Sequence, residues 1–139
     1  MFAYPALLRD NKEGGFIVSF RDVPEAITEI WSMKELQDTA VDALVTVLEM
    51  YFEKNRVFPE PSKPKKNEVM VALPLIVVAK MLLLNVMVSS NIRACDLARK
   101  MHIKPQEVNR IIDLQHNTKI DTIDSAMKAL GKNLQLTVV

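Results

Sequence analysis

Hydrophobic positions change their period several times along the chain, and each change marks an element. Phe2 to Arg9 reads as a strand, and Asp10 to Gly15 as a polar turn containing two glycines. Phe16 to Phe20 reads as a second strand, with Phe16, Val18 and Phe20 alternating against Ile17 and Ser19. Two such runs around a glycine-bearing loop form a hairpin, which Arg21 to Pro24 ends. Ser32 followed by Glu35 has capping-box spacing. Leu36, Ala40, Val41, Leu44, Val47, Leu48, Tyr51 and Phe52 then repeat at three and four, the stripe of a long amphipathic helix running to Asn55. Pro59 to Asn67 holds three prolines and three lysines, so an exposed connector is expected. Glu68 to Leu73 reads as a third strand that Pro74 stops. Leu75 to Val88 is apolar except at Lys80 and Asn85. The span from Val69 to Val88 has the length of a membrane-crossing helix. Pro74 divides it, however, and Lys80 and Asn85 interrupt the remainder, so a strand followed by a buried helix is expected.

Beyond Ser89-Ser90-Asn91, two short helices are expected, Arg93 to Met101 and Lys104 to Leu114. Leu97, Ala98, Met101, Ile103, Val108, Ile111 and Ile112 give each an apolar face. Pro105 suits a first helical position, where its missing N–H costs nothing. The faces left over carry Lys104, Gln106, Asn109 and Arg110. Gln106 and Arg110 lie four apart, hence on one face. Glutamine can pair with adenine in a bidentate way and arginine with guanine, so this helix-turn-helix is a candidate reader of DNA. Lys104, Thr118 and Lys119 flank that face and could reach phosphates, and Asn109 and His116 are further candidates. An ordinary exposed helix would have a similar composition. A last helix is expected with Asp121 as N-cap and Gly131 just past its end, its core face holding Ile123, Ala126, Met127 and Leu130. The tail from Leu134 to Val139 is β-prone, and a free terminal strand can pair with its own copy.

A chain of 139 residues suits one domain or two small ones. The net charge is only +1, but it is divided unevenly. Residues 1–60 hold six basic and eleven acidic side chains, a balance of −5, whereas residues 89–139 hold eight basic and five acidic, a balance of +3. An acidic half joined to a basic half suggests two different partners. The single cysteine, Cys95, cannot form an internal disulfide, which favours a cytoplasmic protein, and a structural thiol is expected there. Met1 to Pro5 shows no basic segment leading into an apolar core, so no signal peptide is expected.

No enzyme constellation emerges. His102 and His116 do not stand at metal-ligand spacing with Cys95 or with each other. Gly14-Gly15 is a hairpin turn rather than a phosphate loop. Asp10, Asp22, Asp38 and Asp42 share no evident geometry. No catalytic residue, metal or cofactor is expected.

Two resemblances cover nearly the whole chain. Residues 76–131 resemble the Cro/repressor-type helix-turn-helix family. The similarity lies in Asp96 to Met101, in Gln106 to Ile111 after the turn, and in Lys119-Ile120-Asp121 through Ala129-Leu130-Gly131. His102 departs from that pattern, where glycine is usual, but histidine is among the residues that tolerate positive φ. Residues 1–73 resemble the HicB antitoxin domain in Tyr4-Pro5, in Glu13 to Phe20, in Asp22 to Thr28 and in Ala43 to Glu53. Val57 to Ser62 and Leu82 to Asn85 extend that likeness, and Glu29 to Ser32 departs from it. The resemblance implies an α+β fold. Its first part would be a partial RNase H-like ββαβ domain over residues 1–73. An all-α helix-turn-helix domain over residues 74–139 would follow, with a short C-terminal strand.

It further implies an antitoxin that blocks a HicA-type, mRNA-cleaving toxin and represses its own operon. Such a protein would bind double-stranded operator DNA as a homodimer or higher even-numbered oligomer. Asp22, Glu25 and Glu29, clustered after the hairpin in the acidic half, are candidate toxin contacts. One alternative is a ligand-sensing helix-turn-helix transcription factor without a toxin partner. A second, an active nuclease, would need carboxylates gathered around a divalent metal.

Overall fold

The computed structural model describes residues 2–139. Two compact units divide it. The first runs to Tyr51 and includes Phe58–Leu73, and the second comprises Phe52–Val57 and Pro74–Val139.

The first unit is a four-stranded antiparallel sheet with one helix. Strands β1 (Ala3–Asp10), β2 (Phe16–Phe20) and β3 (Ile27–Ile30) precede helix α1 (Leu36–Glu53), and β4 (Glu68–Ala72) follows it. The order across the sheet is β3-β2-β1-β4. The unit is therefore βββαβ, not the ββαβ expected. Strand β3 escaped the sequence because its residues, Ile27-Thr28-Glu29-Ile30, do not alternate in polarity. Ile27 and Glu29 are exposed, Thr28 is half-buried, and only Ile30 is buried. Its state is decided by pairing with β2, in register Phe16↔Ile30 through Ser19↔Ile27.

Cross-strand register puts Tyr4, Ala6, Val18, Phe20, Ile30 and Val71 on one sheet face, and all are buried. Helix α1 buries Ala40, Leu44, Val45, Leu48 and Tyr51 as the opposing layer. Pro5 lies one residue before the β1–β2 ladder begins at Ala6↔Phe20. Its lack of an N–H is tolerated because β1 there has a strand neighbour on the β4 side alone. Gly15 answers to close approach. A Cβ there would lie 2.4 Å from the Ile30 carbonyl oxygen and 2.8 Å from the Trp31 ring. The helix entry differs slightly from a capping box. Ser32 Oγ accepts from Lys34 N across a 3₁₀ turn, and Glu35 reaches back to Trp31 N at 2.8 Å, one residue before the cap.

The connector is exposed in its lysines, as expected, but its backbone is pinned. Tyr4 Oη donates to the Pro59 carbonyl at 2.7 Å. Asp22 accepts from Ser62 N at 2.7 Å and from Ser62 Oγ at 2.6 Å. Arg21 donates to the Lys63 carbonyl, and Glu68 accepts from Lys65 N.

The second unit is helical: α2 (Leu75–Ser89), α3 (Ala94–Met101), α4 (Pro105–Ile112) and α5 (Ile120–Ala129). Helix α2 packs on α4 and α5, and α3 on the same pair. Met81, Leu84, Met87, Leu97, Val108, Ile111, Leu114, Ile123 and Met127 form the core. No single helix among the described residues is long and apolar enough to cross a membrane, and α2 and α3 bend by 106° at their junction.

Three helices close with the same device, a left-handed residue in a Schellman motif: Asn91 (φ 54°), His102 (φ 56°) and Gly131 (φ 75°). After α5, for example, Gly131 N donates to Lys128 O and Lys132 N to Met127 O, both at 3.0 Å. Two expectations fail in this unit. The N-cap of α5 is Lys119, not Asp121, because the Lys119 carbonyl already accepts the first helical bond, from Thr122 N. Asp121 lies in the first turn, where it suits the helix dipole. The tail from Leu134 forms no strand. A strand needs a ladder partner, and among the described residues no strand lies beside it.

Candidate functional site

Helix α4 presents the polar face that the spacing suggested. Val108 and Ile111 are buried, while Gln106, Glu107, Asn109 and Arg110 are exposed. Lys104 is the N-cap residue and Pro105 the first helical residue. The turn before α4 is made by His102, whose N donates to Arg99 O at 3.3 Å while Ile103 N donates to Ala98 O at 3.1 Å. Helix α3 is fixed at its other end by Asp96, which accepts from Arg93 N at 2.9 Å. It also pairs with the guanidinium groups of Arg93 and Arg99. The Arg93 backbone N–H and side chain, with Arg99, hold the Asp96 carboxyl down at about 2.

Between α4 and α5 lies a hollow of about 310 Å³. Met101, Ile103 and Ile111 line it, and Arg110, Thr118 and Lys119 are among its polar members. His116 and Glu107 also border it. His116 Nδ1 lies 3.2 Å from Thr118 Oγ1. The structure thus gathers Arg110, His116, Thr118 and Lys119 around one hollow. Lys104, Gln106 and Asn109 are exposed outside its lining.

The loop after α4 is held from within the core. Lys80, midway along α2, is fully buried. Its Nζ donates to the carbonyl oxygens of Arg110 (3.1 Å), Asp113 (2.7 Å) and His116 (2.6 Å). The ammonium thereby holds the Arg110 carbonyl in the last turn of α4 and the Asp113 and His116 carbonyls just beyond it. It is the residue that sequence reasoning missed. The signal was present as the one charged residue inside a mostly apolar helix.

In the first unit the three acidic candidates separate. Both Asp22 oxygens are occupied by Ser62. Glu25 accepts from Tyr51 Oη at 2.8 and 3.1 Å. Glu29 stands exposed on β3. Nearby, Arg21 forks onto Glu68 with contacts of 2.9 to 3.2 Å and holds that carboxyl below its usual range. Among the described residues no three His, Cys, Asp or Glu side chains come together as a metal site. Cys95 is exposed on α3 rather than packed, since it lies nearly opposite the buried Leu97 on the helix wheel.

Residues 3–82 match the family described as HicB-like antitoxin of a bacterial toxin–antitoxin system. The chain is 43% identical over 136 residues to Antitoxin HicB of Escherichia coli strain K12, covering 98% of this chain and 99% of that protein. It is 44% identical over 130 residues to Antitoxin HicB 2 of Photorhabdus laumondii, covering 94% and 92%. The chain belongs to the HicB-like antitoxins. This antitoxin therefore has a toxin as its partner class. The match ends within α2, so it takes in the whole sheet unit and includes Lys80. The full-length relatives extend the likeness through α4 and α5.

Proposed function

We propose that this antitoxin acts through two units with separate partners. Residues 1–73 bind and occlude a HicA-type, mRNA-cleaving toxin. Residues 74–139 bind the operator of the toxin–antitoxin operon and repress it. The observation that carries the DNA half is the exposed Gln106–Asn109–Arg110 face of α4, set beside Arg110, Thr118 and Lys119 and backed by Lys80. Base-reading side chains need a helix held still, with phosphate-reaching groups at its border. The acidic balance of the N-terminal half suits a basic, RNA-binding toxin through complementary potentials. The DNA-binding form is a homodimer or higher even-numbered oligomer, which places two half-sites about one helical turn apart.

Two assays test this. Fluorescence anisotropy with the DNA upstream of the operon is expected to give binding that random DNA of equal length does not match. Co-expression with the toxin is expected to restore growth, and residues 1–73 are expected to suffice. Equal affinity for all DNA removes the operator role, and persistent growth arrest removes the neutralising one.

A further inference from the structure

The sheet of the first unit ends on two unlike edges. β4 follows Lys63, Pro64, Lys65 and Lys66, and Gln37 Nε2 donates to the Ala72 carbonyl at 2.8 Å. Lysines, prolines and covering side chains are how sheets discourage a further strand. At the opposite edge β3 is less guarded, with Pro24 three residues before it and no basic residue between. Its four residues Ile27–Ile30 include no lysine or proline. Among the described residues no strand lies on its outer side. Ile27 is 61% exposed.

Beside β3 runs a groove of about 360 Å³, bounded by β3 and α1. Thr28, Thr39, Ala43, Thr46 and Val47 line it, small side chains that leave it open. The charged residues of its lining are Glu25 and Asp42, both acidic. Glu29 adds a third carboxylate on the strand itself.

We propose that β3 is a strand-addition site. An extended segment of the toxin bearing lysine or arginine pairs with its outer edge and seats alternate side chains in the groove, toward Asp42. This rests on the toxin-binding reading above and gives that reading a place. Main-chain pairing supplies affinity to such a site, and the groove supplies selectivity. A second copy of this chain suits the site less well. Pairing β3 with β3 sets Glu29 and Asp42 of one copy near the same acids of the other, and like charges across strands are destabilising.

Hydrogen exchange on the full chain, alone and with a catalytically inactive HicA-type toxin, tests the proposal. Amides 27–30 are expected to exchange at least tenfold more slowly only when the toxin is present. Two variants at exposed positions, the double change E29K/D42K and the groove-filling T46W, are each expected to weaken toxin binding at least tenfold. Both are expected to keep operator binding within twofold, which shows that they fold. A toxin complex with unchanged exchange at 27–30 and full affinity in both variants overturns this inference and leaves toxin binding standing. A wild-type chain that binds no toxin overturns both. Concentration-dependent protection of 27–30 without toxin overturns it in favour of a second copy.

Discussion

Lys80 Nζ donates to the His116 carbonyl oxygen at 2.6 Å, tying a buried ammonium on α2 to the loop that follows α4. The same nitrogen reaches Asp113 and Arg110. A lysine has three N–H donors, and a buried charge is tolerable where each finds an acceptor. Lys80 is the one buried polar residue among those described. Lys80→Met keeps the volume and removes the donors. Urea unfolding is expected to show a loss of about 1–3 kcal/mol, the cost of leaving buried acceptors unpaired. Operator binding is expected to fall further than the folded fraction, because the end of α4 and the loop at Asp113 and His116 lose their anchor. An unchanged midpoint and unchanged binding would remove Lys80 from this role.

His102 closes α3 at φ 56°, a region in which a side chain is strained. His102→Gly relieves a left-handed cost of about 1–2 kcal/mol, partly offset by glycine's freer unfolded chain, at about 0.5–1 kcal/mol. A net gain of about 0.5–1 kcal/mol is expected in urea unfolding. His102→Val should move the other way, since a β-branched residue is least at ease there.

Asp96 makes stability depend on acid. Its carboxyl sits at about 2 in the folded chain, against an ordinary 3.8, chiefly through the Arg93 backbone N–H and then the Arg93 side chain. A depressed carboxylate stabilises the folded state fully above its unfolded value and loses that contribution as pH falls through the folded one. Wild type is therefore expected to melt above Asp96→Asn by a constant margin over pH 5, with the margin shrinking between about 4 and 2. A margin that does not change over that range contradicts the shift.

Arg110 and Lys119 both border the hollow beside α4, yet they are expected to fail differently. Arg110→Ala should weaken operator binding by about 1–3 kcal/mol and relax sequence preference, as loss of a base contact does. Lys119→Ala should weaken all DNA alike and lower the salt slope by about one. Equal losses on operator and random DNA for Arg110→Ala would remove its base-reading role.

The hairpin, the stripe of α1, the buried α2 and the paired short helices could all be read along the chain. Each announces itself through a local period, three-to-four or two, that neighbouring residues repeat. His102 and Gly131 were legible for a related reason, since a helix stop depends on a residue's own backbone preference. The polar face of α4 followed from the same spacing.

Other features were decided only by folding. Strand β3 exists because β2 pairs with it, although its own pattern does not alternate. The tail, β-prone in composition, has no strand beside it among the described residues and forms none itself. Asp22, a free carboxylate in sequence, is taken by Ser62 forty residues on. Lys80 looked like an interruption in an apolar run, and its three acceptors lie 30, 33 and 36 residues away. Sequence alone determined where the hairpin and the helices run and which family they build, because periodicity and backbone preference are local. Tertiary structure decided which polar groups are spent inside the fold and which stay open, because hydrogen-bond partners distant along the chain become neighbours only when it closes.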